Sequence, residues 1–203
     1  MKVHTPSNII LGRVGKTSIL SRYFNNKFSD TEKSTVNPSF YTKKMQHNGQ
    51  NFQFNFWDTA GQEKFDALNT IYYQGAVGAV VLYDVNQPET FLKVKKWVNE
   101  LKQMLGNDVK FVVAGNKFDL IKSKEDLNNN QKNVDEYIKQ ENVRHFFTSA
   151  KSGENVSETF ECIIHQVLEN LKPEHKKGGK GKLKISADSG ESNGKNGGKG
   201  GCC

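Results

Sequence analysis

The tripeptide Gly15-Lys16-Thr17 has the residue types of a phosphate-binding loop. At the start of a helix, backbone N–H groups attract phosphate, the lysine reaches the outer phosphates and the hydroxyl binds Mg²⁺. In the full motif, G-x-x-x-x-G-K-[ST], the first glycine stands five positions before the second. Here that position is Ile10, and the nearest upstream glycine is Gly12. The stretch therefore has the end of the motif but not its ordinary length.

Two alignments of this stretch are possible. Without a gap, Ile10 replaces the first glycine; with a gap, residues 9–11 form a strand, Gly12 is the first glycine and two residues are missing before Gly15. We favour the gap, because it keeps both the strand and the glycine and because a β-branched residue tolerates a positive φ badly. It predicts a tighter loop with fewer N–H donors around a β-phosphate, and hence weakened nucleotide binding. A truncated gene model is the alternative explanation of the missing residues.

A second polar motif, Asp58-Thr59-Ala60-Gly61-Gln62-Glu63, follows a segment in which phenylalanine alternates with polar residues, a pattern that predicts a half-buried strand. The Asp58 carboxylate, at the end of that strand, can hold Mg²⁺, usually through water. Gly61 lets its N–H approach a terminal phosphate, and Gln62 can orient an attacking water. The motif therefore fits hydrolysis of a terminal phosphate.

Two further motifs indicate which base would be bound. Asn116-Lys117-Phe118-Asp119 follows a predicted buried strand, and Ser149-Ala150-Lys151 follows the last predicted strand. The Asp119 carboxylate only accepts hydrogen bonds. It suits guanine, whose N1–H and exocyclic amine are adjacent donors, whereas adenine presents no such pair. Residues 149–151 are placed to contact the base from the other side.

The elements that must position these motifs alternate along the chain. Apolar runs and period-two patterns predict the strands, and apolar stripes predict the helices, the last of them capped by Asn155 with Glu158 three residues on. The alternation predicts a doubly wound α/β domain, in which ligands bind at the carboxyl ends of the strands. The predicted strands are 8–11, 39–45, 52–56, 77–83, 109–114 and 144–148, and the predicted helices are 16–26, 88–105, 126–140 and 156–171.

Charge is distributed unevenly along the 203 residues, which carry a formal net charge of +7. The stretch 172–203 holds 8 lysines against three acidic residues and accounts for +5 of it. The basic pI therefore does not indicate a nucleic-acid binder, because the folded part is nearly neutral. We predict a domain over 1–172 and, because Gly, Lys and Ser leave little to bury, a flexible and disordered tail over 173–203.

Four motifs in order, each after a predicted strand, make the chain similar to the Ras-superfamily small GTPases, and among them to the endosomal branch of the Rab proteins. The resemblance covers residues 8–171 and ends in a Cys-Cys pair; it is carried by FWDTAGQEKF (56–65), IYYQGA (71–76), VLYDV (81–85), GNKFDL (115–120) and TSAKSGENV (148–156). It implies a single P-loop GTPase domain with a mostly parallel six-stranded sheet and helices on both faces. It also implies slow GTP hydrolysis that an activating protein accelerates.

The resemblance implies roles for individual residues. Thr35 would sense the γ-phosphate through Mg²⁺, and Phe28 would pack beside the guanine nucleoside. The effector-facing aromatics would be Phe40, Trp57 and Tyr72, and the prenylated residues would be Cys202 and Cys203. The Mg²⁺ ligands would be Thr17, Thr35 and Asp58. The GTP- or GDP-binding set would be Gly12, Val14, Gly15, Lys16, Thr17, Ser18, Phe28, Thr35, Gly61, Asn116, Lys117, Asp119, Ser149, Ala150 and Lys151, with Gln62 catalytic.

The implied function is a Rab-type guanine-nucleotide switch in vesicle and endosomal traffic. The implied partners are an exchange factor, a GTPase-activating protein, effectors, a prenylation escort and a GDP-dissociation inhibitor, acting on a monomer. The implied location is the cytoplasmic face of endosomal or other vesicle membranes, reached through the lipidated end, with a cytosolic pool. The alternative is a prenylated interaction module in which the short loop has weakened nucleotide binding.

Overall fold

Strands and helices alternate in the computed structural model of the chain, which describes residues 3–12, 14–31, 35, 39–58, 73 and 75–171. The strands are β1 (Val3–His4), β2 (Ser7–Leu11), β3 (Ser39–His47), β4 (Gln50–Asp58), β5 (Ala76–Asp84), β6 (Lys110–Asn116) and β7 (Arg144–Phe147). The helices are α1 (Lys16–Asn25), α2 (Glu89–Leu105), α3 (Lys124–Glu141) and α4 (Val156–Asn170), and a 3₁₀ turn covers Phe118–Leu120.

The strands form one sheet in which β1 and β2 occupy a single position. Val3 lies opposite Asn51 and Ser7 opposite Asn55, so both short strands keep the same register along β4. Pro6 interrupts them because it has no N–H to donate, although its carbonyl accepts a hydrogen bond from the Asn55 N–H at 3.0 Å. The order across the sheet is β3, β4, β1 with β2, β5, β6 and β7, and among these described strands only β3 is antiparallel to its neighbour. The predicted, mostly parallel, six-stranded sheet is confirmed.

The hairpin between β3 and β4 turns at Asn48 and Gly49, which both have positive φ, 49° and 73°. Positive φ at both central residues is the requirement of the tight two-residue turn that matches the twist of a hairpin. His47 then pairs with Gln50, and the strand extends past the predicted end at Met45.

Apolar side chains cover both faces of the sheet, because successive residues of a strand point to opposite sides. Ile10 faces a core formed with α1 and α4, including Leu20 and Phe160. Ile9 faces the other core, formed with α2 and α3, including Val98. The prediction of helices on both faces is therefore confirmed. No helix in the described part of the chain has the length and apolar character needed to cross a membrane.

The predicted cap of α4 is wrong. Asn155 stands at the cap position with a left-handed φ of 51°, but its side chain makes no capping hydrogen bond. Instead its Nδ2 donates to the Phe147 carbonyl at 2.8 Å, because the turn after β7 brings the two residues together. The predicted tail, residues 173–203, lies outside the described residues.

Candidate functional site

The loop after β2 begins at Gly12 rather than at Ile10. Ile10 is fully buried in β2, opposite Asp58 of β4 and Val80 of β5. Gly12 follows the strand with a φ of 120°, and a Cβ at this position would come within 2.5 Å of the Leu82 carbonyl oxygen. Only glycine fits there. This arrangement corresponds to the gapped alignment, in which two residues stand between the glycines where the motif has four.

The shortened loop is closed by hydrogen bonds from both sides. Lys16 is buried, with 6% of the residue exposed, and its ammonium donates to the Gly12 carbonyl at 2.6 Å. Asn116 Nδ2, from the end of β6, donates to the Val14 carbonyl at 2.9 Å. Gly15 has a φ of 94° and occupies the cap position, so α1 begins directly after the loop. This is the geometry that attracts phosphate at a helix start.

Three oxygen atoms from separate segments meet beside the start of α1. The Thr17 hydroxyl lies 2.5 Å from the Thr35 hydroxyl and donates to Asp58 Oδ2 at 2.7 Å. Two hydroxyls and one carboxylate are hard oxygen donors, which suit Mg²⁺ bound partly by phosphates and water. The described residues contain no cluster of three or more His, Cys, Asp or Glu side chains that could hold a metal ion by itself. The donor set therefore fits Mg²⁺ shared with a phosphate ligand.

A cavity of about 350 Å³ lies beside this loop and contains the predicted base-binding residues. It is lined by Val14, Gly15, Ser18, Phe28, Ser29, Asp30, Asn116, Lys117, Asp119, Leu120, Ala150 and Lys151. Asp119 is exposed toward solvent, and its Oδ1 accepts a hydrogen bond from the buried Ser149 hydroxyl at 2.6 Å. The Ser149 oxygen in turn accepts from the Ser152 N–H at 3.0 Å. These two linked hydrogen bonds fix one carboxylate oxygen of Asp119 and hold the carboxylate at the mouth of the cavity.

Asn116 connects the two loops that form the walls of this cavity. Its Oδ1 accepts a hydrogen bond from the Ala150 N–H at 3.2 Å, while its Nδ2 binds Val14. The side chain is almost completely buried, so both amide groups need partners and both have them. Asn116 therefore holds the loop after β2 and the loop after β7 at a fixed separation.

Lys117 is held by a residue to which the sequence analysis gave no role. Lys117 has a left-handed φ of 65°, and its ammonium lies 2.7 Å from Oδ2 of Asp84, a carboxylate only 2% exposed at the end of β5. Asp84 Oδ1 accepts from the Asn86 N–H at 2.9 Å. The available signal was the position of Asp84, a charged residue directly after an apolar strand of the same sheet edge.

His145 lies under this edge and is kept neutral. Its Nε2 lies 3.0 Å from the hydroxyl of Tyr83, and the two rings stack with centroids 5.8 Å apart. Burial lowers the pKa of the His145 imidazole to about 4, because the charged form loses its solvation. Burial raises the pKa of the Tyr83 hydroxyl, and the negative charge of Asp135 adds a smaller rise in the pKa.

Several predicted residues lie elsewhere. The rings of Phe40 and Trp57 are neighbours across β3 and β4, with centroids 5.3 Å apart, and Phe40 is 57% exposed. The remaining predicted residues fall outside the described part of the chain: Gly61, Gln62, Tyr72, Cys202 and Cys203.

The larger cavity, about 720 Å³, lies at the opposite end of the sheet. It is lined by residues at the amino ends of β6 and β7, such as Lys110 and Arg144, and by Lys102 and Glu141, which form an ion pair. None of the predicted nucleotide-binding residues that the structure describes lines it. We assign the site to the smaller cavity, because the loops at the carboxyl ends of the parallel strands converge there.

Comparison with known proteins finds the Ras family and, among individual proteins, Ras-related and GTP-binding proteins. A family model described as the Ras family matches residues 9–169. The chain is 38% identical over 176 residues to Ras-related protein Rab-21 of Mus musculus, covering 87% of this chain and 78% of that protein. It is 40% identical over 159 residues to Rab-21 of Dictyostelium discoideum, with 78% and 74% covered. It is 35% identical over 164 residues to GTP-binding protein YPT53 of Saccharomyces cerevisiae, with 78% and 74% covered.

Proposed function

The chain belongs to the Ras family, and from that premise we propose that it is a Rab-type GTPase that acts as a nucleotide switch in endosomal vesicle traffic. The observation that supports this most directly is the meeting of the loops after β2, β6 and β7 around one cavity. The start of α1 and the oxygen atoms of Thr17, Thr35 and Asp58 lie beside the loop after β2, and Ser149 orients the Asp119 carboxylate at the mouth of the cavity.

Guanine would occupy the cavity between Phe28 and the loop of residues 149–151. The Asp119 carboxylate would accept hydrogen bonds from the base N1–H and exocyclic amine, since a carboxylate is an acceptor only. Ser149 fixes the orientation of that carboxylate. Lys117, held by Asp84, would extend its alkyl chain along the base.

The phosphates would lie at the start of α1. The N–H groups of the first turn of α1 would bind them, and the Lys16 ammonium, which donates to the Gly12 carbonyl, would add a positive charge. Thr17, Thr35 and Asp58 would hold Mg²⁺, which when bound neutralises charge on the terminal phosphates. Gln62 would orient the attacking water. Hydrolysis would release Thr35 and the segment around it, which is the switching event.

Regulators and effectors would read that change, as they do for switches of this kind. We propose an exchange factor, a GTPase-activating protein, effectors, a prenylation escort and a GDP-dissociation inhibitor as partners, with effectors contacting Phe40, Trp57 and Tyr72. Cys202 and Cys203 would carry prenyl chains, because two chains anchor stably where one is marginal. The lysines of 173–203 would add attraction to the anionic cytoplasmic leaflet of endosomal or other vesicle membranes, with a cytosolic pool of the protein.

The test is nucleotide selectivity, with the Asp119→Asn variant as its control. Purified protein with Mg²⁺ should bind GDP and GTP, and should reject XDP and ADP. The carboxamide of the variant would offer an N–H₂ donor where guanine also offers donors, so the variant should prefer XDP, whose second carbonyl accepts. The carboxamide oxygen can still accept the Ser149 hydrogen bond, so the fold should persist. Failure of the wild-type chain to take up any guanine nucleotide would refute the proposed GTPase function. The alternative function, a prenylated interaction module, would then remain.

A further inference from the structure

Arg22 in α1 bonds to the backbone of the loop that follows β7. Its Nε donates to the Ala150 carbonyl at 2.8 Å, and its Nη2 donates to the Lys151 carbonyl at 2.7 Å. These two carbonyls belong to consecutive residues, and both residues line the base cavity. The guanidinium therefore supports the cavity wall from behind without itself lining the cavity.

The same guanidinium also bonds to the residue that ends α1, just before the segment that forms the second wall of the cavity. Nη1 donates to the Asn26 carbonyl at 3.1 Å and to Asn26 Oδ1 at 2.9 Å. Asn26 ends α1 in a left-handed conformation, with a φ of 53°, and the chain then passes directly to Phe28 and the second cavity wall. One side chain thus joins the loop of residues 149–151 to the turn that leads to residues 28–30.

Arginine is the residue type that can do this. Its planar guanidinium presents five N–H donors in a rigid fork, and four hydrogen bonds use that fork in three directions. A lysine ammonium is a point charge on a flexible stem and cannot reach both walls with fixed geometry. A second link between the walls is weaker, because the ion pair of Lys151 and Asp30 is 3.4 Å long and both side chains are largely exposed.

We propose that Arg22 is a positioning residue that sets the lifetime of the bound guanine nucleotide by holding the two walls of the base cavity together. The inference depends on the proposed function, since it concerns the same cavity. Separation of these walls would loosen the contacts around a bound base, and it breaks charge-assisted hydrogen bonds of Arg22. The oxygen donors on the phosphate side, Thr17, Thr35 and Asp58, belong to a different set of contacts. Arg22 should therefore act on dissociation and not on hydrolysis.

The experiment measures release of a fluorescent GDP analogue into excess GDP, with Mg²⁺ and again with EDTA. Arg22→Ala should release GDP about 10-fold to about 100-fold faster, the equivalent of losing one or two hydrogen bonds to a charged group. Arg22→Lys should recover only part of the loss. Asn26→Gly, which keeps the left-handed turn but removes the side-chain acceptor, should give a smaller acceleration. Arg144→Ala, an exposed arginine at the other end of the sheet, is the matched control and should release GDP like the wild type.

Two readouts separate positioning of the base from general loosening. The factor by which EDTA accelerates release should be the same in Arg22→Ala and the wild type, because that factor reports the phosphate side. The single-turnover rate of GTP hydrolysis in preloaded protein should also be unchanged. If Arg22→Ala fails to fold, the comparison uses Arg22→Lys and Asn26→Gly.

Release of GDP at the wild-type rate in the Arg22 and Asn26 variants would overturn the inference. A much smaller acceleration by EDTA in Arg22→Ala than in the wild type would also overturn it. A wild-type protein that takes up no nucleotide would instead overturn the proposed function, and this inference with it.

Discussion

Replacing Asn8 with valine should raise the free energy of unfolding of this protein. Asn8 lies in β2 and is 0% exposed. Within the part of the chain that the structure describes, neither its Nδ2 nor its Oδ1 has a hydrogen-bond partner. Asn8 shares a strand face with Ile10, so its side chain points to the core formed with α1 and α4. Ile163 and Val167 approach the same point from α4, within 3.1 Å of where a Gly78 Cβ would stand.

The expected gain follows from the cost of burying the amide. A buried polar group without a partner costs about 1–3 kcal/mol in unfolding free energy. Valine removes that cost, suits a strand through its branched Cβ, and is close to asparagine in size. We therefore expect Asn8→Val to stabilise the protein by about 1–3 kcal/mol, which for a domain of this size is a rise in Tm of about 2–4 °C for each kcal/mol.

Equilibrium unfolding in urea at a fixed excess of GDP and Mg²⁺ measures this gain. The ligand must be held constant because binding to the native state adds its own stabilisation. Gln46→Val, at an exposed strand position of β3, is the control and should change the stability by less than about 0.5 kcal/mol. An Asn8→Val protein that is no more stable than the wild type would refute the reasoning, since it would mean that the amide is satisfied in solution.

Two further changes test the loop and the histidine under the site. Insertion of Gly-Ala after Gly12 restores the ordinary loop length and should tighten GDP binding by about tenfold, the value of one added charge-assisted hydrogen bond; calorimetric titration measures this, and equal or weaker affinity would contradict it. The pKa of His145 is lowered to about 4 from an ordinary 6.5. As the pH falls from about 6.5 toward about 4, His145 takes up a proton in the unfolded state but not in the folded state. Stability should therefore be complete above about pH 6.5 and fall by about 2 kcal/mol by about pH 5. His145→Gln should remove that part of the slope, and an unchanged pH profile in urea unfolding would contradict the assignment.

The sheet could be predicted because its signals are local. Each strand that supports the site is a short apolar or alternating run, and each ends at, or one residue before, a polar residue or a glycine at the same edge. Gly12, Asp58 and Asn116 could therefore be placed next to one another before any contact was known. The register of β3 on β4 is likewise set locally, by the positive φ of Asn48 and Gly49 in the turn between them.

The supports behind the site could not be predicted because their signals are not local. Arg22 stands 128 residues from Ala150 in the sequence, and on the helix it resembles any polar residue near a C-terminus. The sequence shows that Asp84 follows an apolar strand, but it does not show that Asp84 pairs with Lys117. The capping prediction at Asn155 failed because a cap and a tertiary hydrogen bond compete for one side chain, and the distance to Phe147 favours the second.

The contacts of Asn116 indicate which part of the loop after β2 is shortened by the two missing residues. Its amide reaches Val14 on one side and Ala150 on the other, and Val14 keeps that bond although the loop is short. Gly12 keeps its place at the end of β2, against Leu82. The shortening therefore falls between these two points, on the phosphate side, while the walls of the base cavity keep their spacing. It follows that the loop insertion should strengthen binding of GDP, which has a β-phosphate, more than binding of GMP, which has none, and should leave the preference for guanine over adenine unchanged.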